Sequence, residues 1–259
     1  MTRTEQTEYL IHQLLDEMPQ YRAQSAHCTG GAQRRRLLRS LMNVRPPMPL
    51  KDEFLAVQDE LLQAERDERG VVDISSVRAT KVPNILLWRG DITRLAADAI
   101  VNAANSAMLG CFVPCHNCID NAIHSAAGLQ LRDACHQIMQ RQGHEEPAGC
   151  AKLTKGYNLP AKYVLYTVGP IVADKPTAED RRLLASCYRS SLKLAAEKGL
   201  TSIAFCCVST GVFHFPNGDA ARIAAGTVKE ELERTNHGIK VIFNVFTDTD
   251  EQIYRELLC

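Results

Sequence analysis

From Gly110 to Cys118 the chain reads Gly-Cys-Phe-Val-Pro-Cys-His-Asn-Cys, which gathers three thiols, Cys111, Cys115 and Cys118, around the imidazole of His116. Thiolate and imidazole together suit zinc, and three protein ligands leave its fourth tetrahedral position open to a water or a substrate atom. Neighbours this close in sequence seldom both reach one ion, so local spacing leaves Cys115 and Cys118 as alternatives. Asp120 follows at once, at the start of a helical run. A carboxylate there can orient a water or a sugar hydroxyl, or act as a base. His124 lies four residues on, one helical turn away, and reads as a packing or supporting histidine rather than a ligand.

Three other segments have compositions suited to holding a ligand. Gly90-Asp91-Ile92-Thr93 follows a strand ending at Trp88. Its glycine permits a tight turn, and Asp91 can accept from an amino group such as adenine N6, or simply cap the next helix. In Val101-Asn102-Ala103-Ala104-Asn105 only small residues separate two asparagines. Each amide offers a donor and an acceptor to ribose hydroxyls, although an Asn turn has the same sequence. Ser209-Thr210-Gly211-Val212-Phe213-His214-Phe215-Pro216 joins an apolar run to a helix. Such a loop exposes backbone N–H groups beside a positive helix end and can hold a diphosphate without basic side chains. It is neither a Walker loop nor a G-x-G-x-x-G fingerprint.

These segments must be carried by something. Short apolar runs at Asn84–Trp88, Ala99–Val101, Tyr163–Val168, Ser202–Val208 and Val241–Phe246 read as strands. Three helical patterns lie between them. The first runs from Ile119 through Met139, the second begins near Thr177, and the third begins at Pro216, a residue suited to a first helical turn. Buried strands alternating with helices predict a mainly parallel sheet covered on both faces, with ligands at the carboxyl ends of the strands. Residues 1–75 differ. Tyr9, Leu10, Leu14 and Met18 mark one amphipathic helix face and Phe54, Val57, Leu61 and Leu62 another, with a break at Arg45-Pro46-Pro47-Met48-Pro49. Arg34-Arg35-Arg36 reads as a solvated helix face. The expected division is a helical extension over 1–75 and an α/β domain over 76–259.

Thirty Lys and Arg balance thirty Asp and Glu, so binding of nucleic acid through bulk charge is not expected. No window has the character of a signal peptide or a membrane span. The ten cysteines therefore read as reduced thiols of a cytoplasmic protein, expected to be a monomer, with Cys135, Cys150, Cys187, Cys206 and Cys207 as small buried hydrophobes.

Gly90-Asp91-Ile92-Thr93, Val101-Asn102-Ala103-Ala104-Asn105, Ile119-Asp120-Asn121-Ala122-Ile123-His124-Ser125-Ala126-Ala127-Gly128 and Ser209-Thr210-Gly211-Val212-Phe213, in this order, resemble the macrodomain pattern from about Val82 to the end. Common hydrolytic macrodomains have a glycine-rich loop before the Asp-bearing helix. Here the Cys/His segment stands in its place, which resembles the zinc-containing branch of microbial protein-ADP-ribose hydrolases. The resemblance implies a three-layer α/β/α macrodomain with a mixed, mostly parallel central sheet and an N-terminal helical extension. It implies ADP-ribose contacts from Asp91 and Ile92 to adenine, stacking by Phe246, and a diphosphate cradle at Ser209, Thr210, Gly211, Val212 and Phe213. Asn102, Asn105, Cys111, Cys118, Ile119 and Asp120 would surround the distal ribose, with Asp120 and Asn105 catalytic. It implies Zn2+ on Cys111, His116 and Cys118, with Cys115 in reserve. The activity implied is removal of mono-ADP-ribose from acidic side chains of a modified protein, such as a carrier protein modified by a sirtuin-type transferase. A non-catalytic ADP-ribose reader with a structural zinc and an O-acetyl-ADP-ribose deacetylase are the alternatives.

Overall fold

The computed structural model describes residues 1–235 and 238–259. In chain order the elements are α1 (Arg3–Glu17), a short α2 (Arg22–Ser25), α3 (Gly31–Val44), α4 (Asp52–Arg69), β1 (Ile85–Arg89), β2 (Ala99–Ala103), α5 (Ile119–Ala127), α6 (Leu129–Gln142), β3 (Ala151–Lys155), β4 (Tyr163–Thr167), α7 (Ala178–Glu197), β5 (Ser202–Phe205), α8 (Asn217–Thr235), β6 (Lys240–Val245) and α9 (Asp248–Leu258). β5 is buried at every position and β2 at all but its last, as strands covered on both faces must be. The six strands lie in the order β1-β6-β5-β2-β4-β3. All neighbours are parallel except β3 and β4.

The side-chain alternation of the strands separates the layers. Tyr188 of α7, Phe205, Phe243 and Tyr254 of α9 form a continuous aromatic stack, with centroid distances of 4.9, 6.5 and 4.9 Å. α7 and α9 therefore cover the face on which Phe205 lies. Ala99 pairs with Ile203 and Ile100 with Ala204, so Asn102 projects from the opposite face, where it meets α5. The expected three-layer α/β/α arrangement is what the chain adopts. Connections leaving β2 run toward β4, while β5 leads to β6. The reversal opens a crevice at the carboxyl ends of β5 and β2.

Several elements differ from their predicted form. The helix expected from Ile119 through Met139 is broken at Gly128, whose φ of 97° lies outside the helical region; a Cβ there would also approach the Gln58 amide to 2.7 Å. β3 was hidden because an edge strand of sequence Ala-Lys-Leu-Thr-Lys is only half apolar, and its lysines blunt the sheet edge. α9 also went unpredicted; Thr247 caps it by accepting from the Asp250 N–H. Pro216 does not enter α8 but supplies the carbonyl that accepts its first bond, from Ala220 at 2.9 Å. Cys150 is exposed and Cys207 half-buried, whereas Cys135, Cys187 and Cys206 are buried as expected.

α1, α3 and α4 bury their apolar faces on one another, forming a second core that reaches the α/β layers at Leu129 of α6. Arg34 and Arg35 are not a free basic face: they pair with Glu8 and Glu65 across this helical unit. The unit docks through buried polar contacts. Gln58 accepts from the Leu129 N–H at 3.0 Å and donates to Gln130 at 2.7 Å, and Asn158 donates to Asp59 at 2.6 Å. No helix among the described residues is long and apolar enough to cross a membrane.

Candidate active site and metal centre

The site lies where parallel strands end. β2 delivers Asn102 and, two residues past its end, Asn105. α5 begins opposite them, and Asp120 in its first turn is buried. Asn102 Nδ2 donates to Asp120 Oδ1 at 2.7 Å, and Asn105 Nδ2 lies 3.4 Å from Oδ2. Burial pushes the Asp120 carboxyl up to about 6, against the stabilising bond from Asn102. The side-chain amide oxygens (Oδ1) of Asn102 and Asn105 are buried and take part in no hydrogen bond among the described residues. A buried acceptor left this way costs stability, and a ligand hydroxyl would satisfy it.

His124 lies one turn beyond Asp120, with Nε2 3.5 Å from Oδ1. Burial lowers its pKa to about 3, so the ring is neutral near physiological pH. Its ring packs against Gly110, where any Cβ would come within 2.9 Å of it. His124 therefore packs against the start of the Cys/His loop and is not part of the Cys111–His116–Cys118 cluster.

The loop from Gly110 crosses the mouth of the crevice. The ligand atoms of Cys111, His116 and Cys118 all lie within 4.8 Å of one another, with Cys111 Sγ 3.6 Å from His116 Nδ1. Tetrahedral zinc with ordinary Zn–S and Zn–N bonds needs donor separations of roughly 3.5–3.8 Å. The donor set suits the ion, the Cys111–His116 separation already matches, and Cys118 lies within 4.8 Å of both; the three are half-buried, so a fourth position can be reached from outside. Without an ion, burial holds the Cys118 thiol up at about 11, so binding a metal there must displace its proton. Cys115 is turned the other way. It has a φ of 52°, its N–H donates to Asn43 Oδ1 at 2.9 Å, and its thiol donates to the Arg36 carbonyl at 3.5 Å. The choice that sequence spacing left open is thereby made in this structure: Cys118 joins the cluster and Cys115 does not.

At the other end of the crevice Asp91 caps a short 3-10 turn, accepting from Thr93 N–H at 3.0 Å and Thr93 Oγ1 at 2.7 Å. The capping reading of this residue is realised, yet the side chain remains exposed enough to meet a ligand, and Arg69 of α4 lies 3.4 Å from its second oxygen. Ile92 is buried beneath it. Phe246, just past β6, is 70 % exposed, which excludes a core role. Between these ends runs the loop from Ser209 to Phe215, closed by the Phe215 N–H on the Ser209 carbonyl at 3.0 Å. The N–H groups of Gly211, Val212 and Phe213 make no hydrogen bond among the described residues. This loop is tied to the segment after β4 through the Val172 N–H, 2.9 Å from the Phe213 carbonyl.

Residues 101–224 match the Macro domain family. A protein-ADP-ribose hydrolase of Treponema medium is 51 % identical over the full length of both chains. A Trypanosoma brucei macrodomain solved in complex with ADP-ribose superposes with a TM-score of 0.65 at 33 % identity, covering 84 % of this chain and 94 % of that one. The Oceanobacillus iheyensis macrodomain with ADP gives 0.61 at 37 % identity, over 66 % and 88 % of the two chains. This chain belongs to the protein-ADP-ribose hydrolase family of macrodomains.

In this macrodomain the residues expected to act together fall into two groups along one crevice. Asn102, Asn105, Cys111, His116, Cys118 and Asp120 converge at one end, with Ile119 at the start of α5 between them. Asp91, Ile92 and Phe246 stand at the ends of β1 and β6, which pair side by side, and the Ser209–Phe213 loop follows the next strand, β5. Sequence reasoning missed Arg132 and Asn43. Arg132 is buried on α6, stacks 4.3 Å from the Phe112 ring and donates to the Leu109 carbonyl at 2.7 Å, bracing the Cys/His loop from within. A lone arginine in a helical pattern carries no sign of such a task. The one available hint was its place on the apolar side of that helix, beside Leu131 and Cys135.

Proposed function

We propose that the protein is a zinc-dependent hydrolase that removes mono-ADP-ribose from protein, with ester-linked acidic side chains as its target. The observation that carries this reading is the convergence of Cys111, His116 and Cys118 beside Asp120 and Asn105, at one strand-end edge of a mostly parallel sheet whose strands β1 and β6 are followed by Asp91 and the exposed Phe246. The groups at these strand ends suit the parts of ADP-ribose. Phe246 stacks on adenine and Asp91 accepts from its amino group. The free amides of Gly211, Val212 and Phe213, with Ser209 and Thr210 at the start of their loop, hold the diphosphate in front of α8. The carbonyls of Asn102 and Asn105 receive hydroxyls of the distal ribose.

Cys111, His116 and Cys118 would hold the zinc, which would supply Lewis-acid chemistry, polarising an oxygen or lowering the pKa of a water. The remaining work falls to the chain. Asn102 fixes Asp120 Oδ1, which leaves Oδ2 to orient a water or a ribose hydroxyl and to take its proton. With its carboxyl raised to about 6, Asp120 is still mainly ionised near neutrality and is a better base than an ordinary aspartate. A carboxylate is a good leaving group, so an ester to Asp or Glu demands the least of this machinery.

The test is metal analysis together with release of ADP-ribose from a protein modified on glutamate or aspartate. The wild-type chain should carry about one zinc per molecule. Cys118→Ala should lose zinc and hydrolysis together. Asp120→Ala should keep zinc and slow by roughly 100-fold or more, the usual worth of a positioned proton acceptor. A folded, metal-free Cys118→Ala that is fully active would end the case for zinc dependence.

A further inference from the structure

The metal loop is held from outside the α/β layers, by α3 of the N-terminal helices. Asn43, near the end of α3, is 2 % exposed. Its Oδ1 accepts from the Cys115 N–H at 2.9 Å and its Nδ2 donates to Ser125 Oγ of α5 at 3.0 Å. Ser125 passes the bond on to Asn121 Oδ1 at 3.3 Å, which also accepts from Arg39 of α3 at 2.7 Å. Asn121 in turn grips the loop at two points. Its side chain donates to the Val113 carbonyl at 3.0 Å, and its backbone N–H lies 3.4 Å from Cys118 Sγ. Arg132 completes the tie by donating to the carbonyls of Met42 and Arg45, at the end of α3, at 2.9 and 2.6 Å.

Cys115 is the point on which this network acts. A left-handed conformation is unfavourable for a residue with a Cβ; the turn closed by the His116 N–H on the Val113 carbonyl at 3.2 Å forms it, and contacts from α3 help to hold it. Those contacts come from Asn43 and the Arg36 carbonyl. The result is that His116 and Cys118 face Cys111 while Cys115 faces α3.

We propose that Asn43 is a positioning residue of the metal site, and that the N-terminal helices serve to hold the loop of Cys111, His116 and Cys118 in ligand geometry. This rests on the zinc reading of that loop. Partners that orient a metal's ligands are worth 10- to 100-fold in metal affinity. A residue that merely glued the helices to the domain would have no such selective effect. Gln58 provides the comparison, since it is as buried as Asn43 and joins α4 to α6 without touching the loop.

The experiment is the rate of zinc loss to a chelator from the full-length protein, measured beside thermal stability and ADP-ribose affinity for wild type, Asn43→Ala, Ser125→Ala and Gln58→Ala. Asn43→Ala should lose zinc roughly ten-fold faster or more. Ser125→Ala, which frees the far end of the Asn43 amide, should show a smaller loss in the same direction, and it carries the test if Asn43→Ala fails to fold. Gln58→Ala should lower the melting temperature with zinc loss unchanged. Equal zinc loss in the Asn43 and Gln58 variants, or an Asn43 or Ser125 variant that keeps zinc as wild type does, would overturn the assignment while leaving the zinc reading intact. A wild-type protein that holds no zinc would refute both.

Discussion

Asp91 shows how one side chain carries two tasks. It caps the turn after β1 through Thr93, while its second oxygen, 3.4 Å from Arg69, stays partly exposed. Asp91→Ala should therefore weaken ADP-ribose binding by about 1–3 kcal/mol, the cost of leaving the adenine donor without its partner. The accompanying loss of stability should stay near 1 kcal/mol, the worth of an N-cap. Calorimetry with ADP-ribose and AMP separates the effects: both ligands should weaken in the variant, and in the wild type ADP-ribose should bind well above AMP. Equal wild-type affinity for the two would mean that the Ser209–Phe213 loop holds no diphosphate. At this scale the sequence was informative wherever residue type itself limits the chemistry. Cys111, His116 and Cys118 stood out by their donor types, and the structure gathers them into one cluster with Asp120 just after it. Asn43 and Arg132 were silent because their importance comes from what folding places against them, across 72 and 23 positions of chain.

The elements were legible in proportion to their burial. β2 and β5 read clearly because they lie under two layers, whereas β3, half apolar at the sheet edge, did not. The α5–α6 break was missed because the apolar period continues across Gly128 while the backbone does not. Register at the strand starts is pinned by Asp98, just before β2. It accepts from the Thr201 N–H, the Thr201 hydroxyl and Lys162 Nζ, each at 2.7 Å, so it ties the entrances of β5 and β4 to that of β2. Burial works to raise its pKa, but these bonds outweigh it and hold the carboxyl down at about 2. A carboxylate lowered in this way stabilises the fold fully above its unfolded value of 3.8, and the contribution fades as pH falls from there toward 2. Asp98→Asn should cost about 1 kcal/mol near neutrality, a figure kept small because Lys162 is largely solvated. Urea unfolding should show the gap between variant and wild type closing over that acidic interval. An undiminished gap at its lower end would mean that the variant is not weakened by its missing charge.

At the scale of the molecule, the helical unit and the α/β layers have separate apolar cores but share their polar seam. The connector between them is pinned as well: the Val72 N–H donates to the Arg94 carbonyl at 2.8 Å, and the Ala96 N–H to the Val72 carbonyl at 2.9 Å. Limited proteolysis should accordingly release no persistent fragment of residues 1–75. A chain starting at residue 76 should unfold at markedly lower temperature, since Leu129 and the Arg132 guanidinium would lose their cover. A soluble, stable 1–75 fragment recovered from the digest would show that the seam contributes little.

The outward turn of Cys115 also bears on how relatives of this site should be sought. At a position that keeps a left-handed backbone and offers its N–H to Asn43, glycine or asparagine can replace cysteine at the cost of the thiol's contact with the Arg36 carbonyl. A search that counts the thiols of this loop would weigh one turned toward α3 equally with the two that face His116. The informative pattern is Cys-x-x-x-x-His-x-Cys followed by Ile-Asp, joined to an asparagine near the end of a preceding helix far upstream in the chain.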